Sequence, residues 1–124
     1  MNIIQFIITL FHLSILNMDK TTLKCEYQTE TQIIAAVAQL PEVKFKKAEI
    51  ERITKGKRHL KLIIYATPQE AQKNYYWVKV VEDNGTSLVT HFNFYVYPKN
   101  LEIRYYDIAN DKIMNLKTWR KTIK

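Results

Sequence analysis

The stretch YYWVKVVEDNGTSLVTHFNFYVYP, residues 75–98, constrains this chain more than any other. Apolar and aromatic residues recur at alternate positions on both sides of Asn84-Gly85, and a period of two is the pattern of a β-strand with two different faces. Asn-Gly tolerates the positive φ values that a type I′ turn requires at its central positions, so the stretch predicts a β-hairpin. With those two residues central, Val81 pairs with Leu88, Lys79 with Thr90, Trp77 with Phe92 and Tyr75 with Phe94 on one face. Tyr76, Val78, Val80 and Glu82 then share the other face with Asn93, His91, Val89 and Ser87. Both faces carry aromatic residues, although one is enough for a core.

The rest of the chain supplies the layer that covers this hairpin. Ile33, Ile34, Val37, Ala38 and Leu40 recur at spacings of three and four, an amphipathic helix with Thr29 and Gln32 placed for a capping box. Pro41 disfavours helical geometry at Leu40, which predicts a boundary or kink there. Val43, Phe45, Ala48, Ile50 and Ile53 fit a second helical piece that stops near Lys55-Gly56. Beyond Gly56 the period changes to two through RHLKLIIYA, and Pro68 opens a polar connection. If Lys99 and Asn100 form the next turn, Val96 faces Ile103, Phe94 faces Tyr105, Tyr97 meets Glu102, Tyr95 meets Arg104 and Tyr106 meets Asn93. Asn110-Asp111 suggests a further turn, after which KIMNLKTWRK forms a short strand or helical turn carrying Trp119. The expected fold class is α+β: an N-terminal helix or helices on one face of an antiparallel four-stranded meander sheet.

A chain of 124 residues has room for one domain. The expected boundaries are 1–18 as an apolar leader, 19–28 as a linker and 29–124 as a single α+β domain. The leader has no charged side chain and an apolar run from Ile3 to Leu16 of signal-peptide length, but no basic n-region or small-x-small cleavage site. A degenerate signal peptide, a packing or membrane-surface helix and an anchor all fit it, so export to a periplasmic or extracellular space, or a membrane tether, is expected. Cys25 stands alone, which excludes an intrachain disulfide and reads as an unpaired thiol in the linker.

Nineteen Lys and Arg against twelve Asp and Glu give a net charge of +7, which favours acidic partners. No Gly-rich phosphate loop, paired metal-ligand spacing or activated cysteine occurs, so neither cofactor nor metal is expected. Asp107 and Asp111 read as turn residues. Lys44 to Lys47 and Lys55 to Lys61 are basic runs that could meet phosphate, and aromatic sheets stack single-stranded bases, which makes nucleic acid one candidate partner. The expected core face of the hairpin holds Trp77, Leu88, Phe92, Phe94 and Val96. The opposite face offers Tyr76, His91, Asn93, Tyr95, Tyr97, Glu102, Arg104 and Tyr106, and tyrosine with arginine is the composition enriched at binding surfaces. The plain alternative is a solvated sheet face held by cross-strand tyrosine pairs.

A helix followed by WVKVVEDNG, a long aromatic strand and NLEIRYYDIANDKIM resembles, in outline, PepSY-like and cystatin-like small α+β domains. It is also similar to small exported proteins with a THFNFYVYPK…EIRYYD…LKTWRK tail. The Gln-x-Val-x-Gly hairpin of cystatin-like inhibitors is not present. The resemblance implies a non-enzymatic binding or inhibitory module for a protein or extended ligand, and it assigns no residue a role. From a different class, a cone-shaped α+β enzyme or ligand-pocket protein would close its sheet over His91, Glu102 and Tyr106.

Overall fold

A computed structural model describes residues 29–124, so the expectations for 1–18, 19–28 and Cys25 lie outside the described residues. The first helix, α1 (Thr29–Ala38), buries Ile33 and Val37, spaced by four as one helical face demands. Leu40 is extended at φ −61° and ψ 134°, and Pro41 takes the first turn of α2 (Pro41–Ile53), where its missing N–H costs nothing. The boundary expected at Leu40 is therefore a break between two helices. Helix α2 closes with Lys55 at φ 53° and the Gly56 N–H donating to the Glu51 carbonyl at 2.8 Å, a Schellman-type end.

Within α2 only Val43 and Ile50 are buried. Phe45, Ala48 and Ile53, placed in the same apolar set from sequence, are exposed. At 100° per residue Val43 and Ile50 share one side of the helix, and Phe45 lies about 200° away from Val43. Spacing alone let a loose apolar set pass for a stripe.

The sheet is an antiparallel meander of five strands in sequence order: β1 (His59–Ala66), β2 (Tyr76–Asp83), β3 (Leu88–Tyr97), β4 (Glu102–Asp107) and β5 (Lys112–Asn115). A single turn of helix, α3 (Pro68–Ala71), joins β1 to β2 behind a Thr67–Glu70 capping box. The C-terminal segment expected to be a strand or a helical turn is both, because β5 leads directly into α4 (Leu116–Thr122). The Asn115 side chain caps that helix by accepting from the Thr118 N–H at 2.7 Å.

The β3–β4 register is the expected one, with Phe94 opposite Tyr105, Tyr95 opposite Arg104, Val96 opposite Ile103 and Tyr97 opposite Glu102. The β2–β3 register is not. Asp83 pairs with Leu88 across a four-residue loop, Asn84–Ser87, in place of a two-residue turn. Asn84 Oδ1 accepts from the Thr86 and Ser87 N–H groups at 3.0 and 2.8 Å, so an Asx-type loop replaces the I′ turn. Further along, Val81 pairs with Thr90 and Val80 with Phe92, which leaves His91 as the extra residue of a β-bulge.

That bulge reverses which β2 residues share a face with Phe92, Phe94 and Val96. Val80 and Val78 sit opposite Phe92 and Phe94, and Tyr76 opposite Val96. Together with Ile33, Val37, Leu40, Val43 and Trp119 they form the core, with Leu60, Leu62 and Ile64 of β1 packed against it. Helices α1, α2 and α4 thus all cover one side of the sheet. Trp77, expected in the core beside Phe92, faces the other way and stands opposite Tyr95. Burial decided this: Val78 and Val80 are fully enclosed, and two valines satisfy a dry sheet face better than Trp77 and Lys79 would.

Trp119 completes the core from the C-terminal helix. Its indole stacks on Tyr105 at 4.6 Å and meets Phe92 and Phe94 edge-on, both at 5.5 Å. Arg120, the next residue, donates to both carboxylate oxygens of Glu42 at the start of α2. That contact holds the Glu42 carboxyl below its usual range.

Candidate functional site

Among the described residues, the side of the sheet opposite helices α1, α2 and α4 is paved with aromatic rings. Trp77 is at its centre, edge-on to Tyr65 at 4.6 Å, to Tyr106 at 5.5 Å and to Tyr95 at 5.8 Å. Tyr95 is stacked between Tyr75 at 4.0 Å and Tyr106 at 4.7 Å, and Tyr75 also meets Tyr97 edge-on at 5.6 Å. Six rings from four strands or their margins are thereby in continuous contact. Such pairs contribute about 0.5–1.5 kcal/mol each beyond their buried area, so the pavement is self-supporting.

Backbone irregularity places several of these rings. Tyr65 is the extra residue where the β1–β2 register shifts between Ile64 and Ala66, and the bulge carries its ring over Trp77. The Lys79 ammonium lies 3.6 Å from the centre of the Tyr65 ring, and the Arg104 guanidinium 5.0 Å from that of Tyr97. Asn93 is buried and accepts from the Trp77 indole N–H at 3.0 Å, which satisfies the two polar groups that the pavement would otherwise strand.

The electrostatics follow from this packing. Burial raises the Tyr95 phenol well above the ordinary tyrosine range, and the Tyr75 and Tyr106 phenols beside it add to the shift. Tyr106 donates to Asp111 Oδ1 at 2.7 Å, and that bond raises its phenol too. Arg104 donates to Glu102 at 3.0 Å, so the guanidinium is held by a carboxylate on one side and a ring on the other.

Of the residues singled out from sequence, Asn93, Tyr95, Tyr97, Arg104 and Tyr106 come together on this face, with Glu102 at its rim through Arg104. Tyr76 does not: it is buried in the helix-side core, because the bulge moved β2 by one residue relative to β3. His91 is also elsewhere. Its Nε2 is buried without a hydrogen-bond partner, 3.8 Å from Glu82 Oε2. A pocket joining His91, Glu102 and Tyr106 is therefore not what these residues build.

Sequence reasoning missed Tyr65, Tyr75, Trp77 and Lys79 as members of the face. One signal could have found Trp77: in YWVKVVED the two even positions that follow Tyr76, Val78 and Val80, are both valine, whereas the odd positions beside them are Trp77 and Lys79. Among the described residues no group of three or more His, Cys, Asp or Glu could hold a metal ion, and no helix is long and apolar enough to cross a membrane. Comparison with protein-family models, curated proteins and solved structures finds no match to this chain.

Proposed function

We propose that the protein is a non-enzymatic binding module that holds a protein or an extended ligand across the aromatic face of its sheet. One observation carries this reading: six aromatic rings in continuous contact, flanked by Lys79 and Arg104, occupy the side of the sheet that the core does not use. An ordinary wet sheet face is satisfied by threonine, lysine and glutamate. Rigid, preorganised aromatics with polar tips give large contact area at low entropic cost, which is the physical requirement of a recognition surface.

Arg104 and Tyr97 test the proposal, since they form the rim and neither belongs to the core. A photo-crosslinking amino acid at Tyr97 identifies the bound species in native extract, and purified partner then gives affinities. Arg104→Ala and Tyr97→Ala are expected to weaken binding by at least about 1 kcal/mol, while stability changes by about 0.2–1 kcal/mol, the scale of a cross-strand pair. Parent-like affinity in both folded variants would reject this face as the binding surface.

A further inference from the structure

The charge of this chain is segregated. Residues 41–58 and 112–124 hold twelve of the nineteen Lys and Arg but three of the twelve Asp and Glu, which leaves seven cations against nine acids in the rest of the chain. Two of those acids are already paired, Glu42 with Arg120 and Glu49 with Lys46, and Glu51 lies 4.0 Å from the His59 ring. The fold then joins the two segments. A cleft of about 470 Å³ is lined by Pro41, Glu42, Phe45 and Lys46 of α2, by Phe92 and by Ile123 just after α4. A hollow of about 360 Å³ beside it is bounded by Lys117, Arg120, Lys121 and Lys124.

Apolar side chains stand outward among these cations. Phe45 is 70% exposed and Ile123 53% exposed, and neither contributes to the core. Phe45 sits on the water side of α2 between exposed Lys44 and Lys47. Cations flanking an outward apolar side chain are the composition of a surface that lies in a lipid headgroup layer, where rings enter the acyl boundary and lysine stems reach up to phosphates.

We propose that this helix-side surface, centred on Phe45 and Ile123 and flanked by Lys44, Lys117, Lys121 and Lys124, docks on an anionic lipid bilayer. Charge complementarity selects the occupant. An acidic peptide or a nucleic acid would neutralise the lysines but leave the aliphatic Ile123 in water, whereas a bilayer interface takes up both kinds of side chain at once. The aromatic pavement is on the opposite side of the sheet, so a docked molecule still presents it to a ligand.

Sedimentation of the full-length chain with vesicles tests the docking, using phosphatidylcholine alone and phosphatidylcholine mixed with phosphatidylglycerol. The apolar run at 3–16 is common to every variant, so differences between variants report on the helix side. Partitioning is expected to favour the anionic vesicles and to fall with added salt. Lys117→Gln and Lys121→Gln should each lower it about fivefold, and Phe45→Ala about tenfold. In Phe45→Trp the emission should shift to the blue on anionic vesicles, relative to the same measurement on the parent with Trp77 and Trp119 alone. All three positions carry exposed side chains, so folding is not at stake, and unchanged circular dichroism checks that. Parent-like partitioning of the lysine variants, or equal binding to neutral and anionic vesicles, would overturn the proposal. So would variants that bind vesicles as the parent does but lose affinity for a polyglutamate peptide or a single-stranded oligonucleotide.

Discussion

Tyr95 shows how one residue can be read correctly for place and incompletely for role. Alternation along β3 assigns it to the face away from the core, and it is there, yet it is 6% exposed because Tyr75 and Tyr106 enclose it. Its phenol is raised, chiefly by burial. The folded state holds that proton more tightly than the unfolded chain does, so the contribution is full below the ordinary tyrosine value of about 10 and is lost as pH rises through the folded-state value. Tyr105 and Tyr106 are shifted in the same direction. Stability is therefore expected to decline from about pH 10 upward, and Tyr95→Phe should make that decline shallower. Denaturant midpoints measured across the alkaline range check it, and an unchanged slope in the variant would contradict the assigned cause.

At the scale of elements, the β2–β3 hairpin departs furthest from expectation, and its loop is where the departure begins. Asn-Gly marks a turn, but the Asn84 side chain gathers the Thr86 and Ser87 amides, and the loop lengthens to four residues. Gly85 keeps φ +89° with nothing within 4 Å of an added Cβ, so a substitution there meets only backbone strain. Gly85→Ala is expected to destabilise the fold by about 1–2 kcal/mol, with the register and the aromatic pavement unchanged. A denaturant titration with the near-ultraviolet signal of Trp77 as second readout measures both. A loss of much less than this would mean that the loop relaxes into another turn. The bulge at His91 is a separate device: the longer loop alone preserves which residues share a face, and only the bulge exchanges them.

For the whole molecule, the last helix matters more than its length suggests. Helix α4 has seven residues, yet Trp119 is the largest fully buried side chain and contacts Tyr105, Phe92 and Phe94. Trp119→Ala should cost about 3–5 kcal/mol, a large share of the roughly 5–15 kcal/mol that holds a domain together. Phe92 is only half-buried, so the core rests more on Phe94 and Trp119 than on the residue that a two-residue turn would have buried with Trp77. Thermal or chemical unfolding of Trp119→Ala gives the measurement, and a loss below about 1 kcal/mol would mean that the core closes without α4.

Periods of three to four before Gly56 and of two after it determined, without tertiary information, that helices precede an antiparallel meander. Those periods follow from the backbone geometry of each residue and its neighbours. They also placed Tyr95, Tyr97, Arg104 and Tyr106 on one face, since Lys99 and Asn100 set a turn with no bulge behind it. What alternation cannot reveal is an extra residue, because a bulge leaves the apolar pattern of each strand intact and changes only how two strands are matched. The choice between Trp77 and its valine neighbours for the core lay in that match. It was decided when helices α1 and α2 closed over Val78 and Val80, which bring no side-chain polar group into the core. Trp77 was turned outward to the side-chain amide oxygen of Asn93 and to the rings that now form the candidate site.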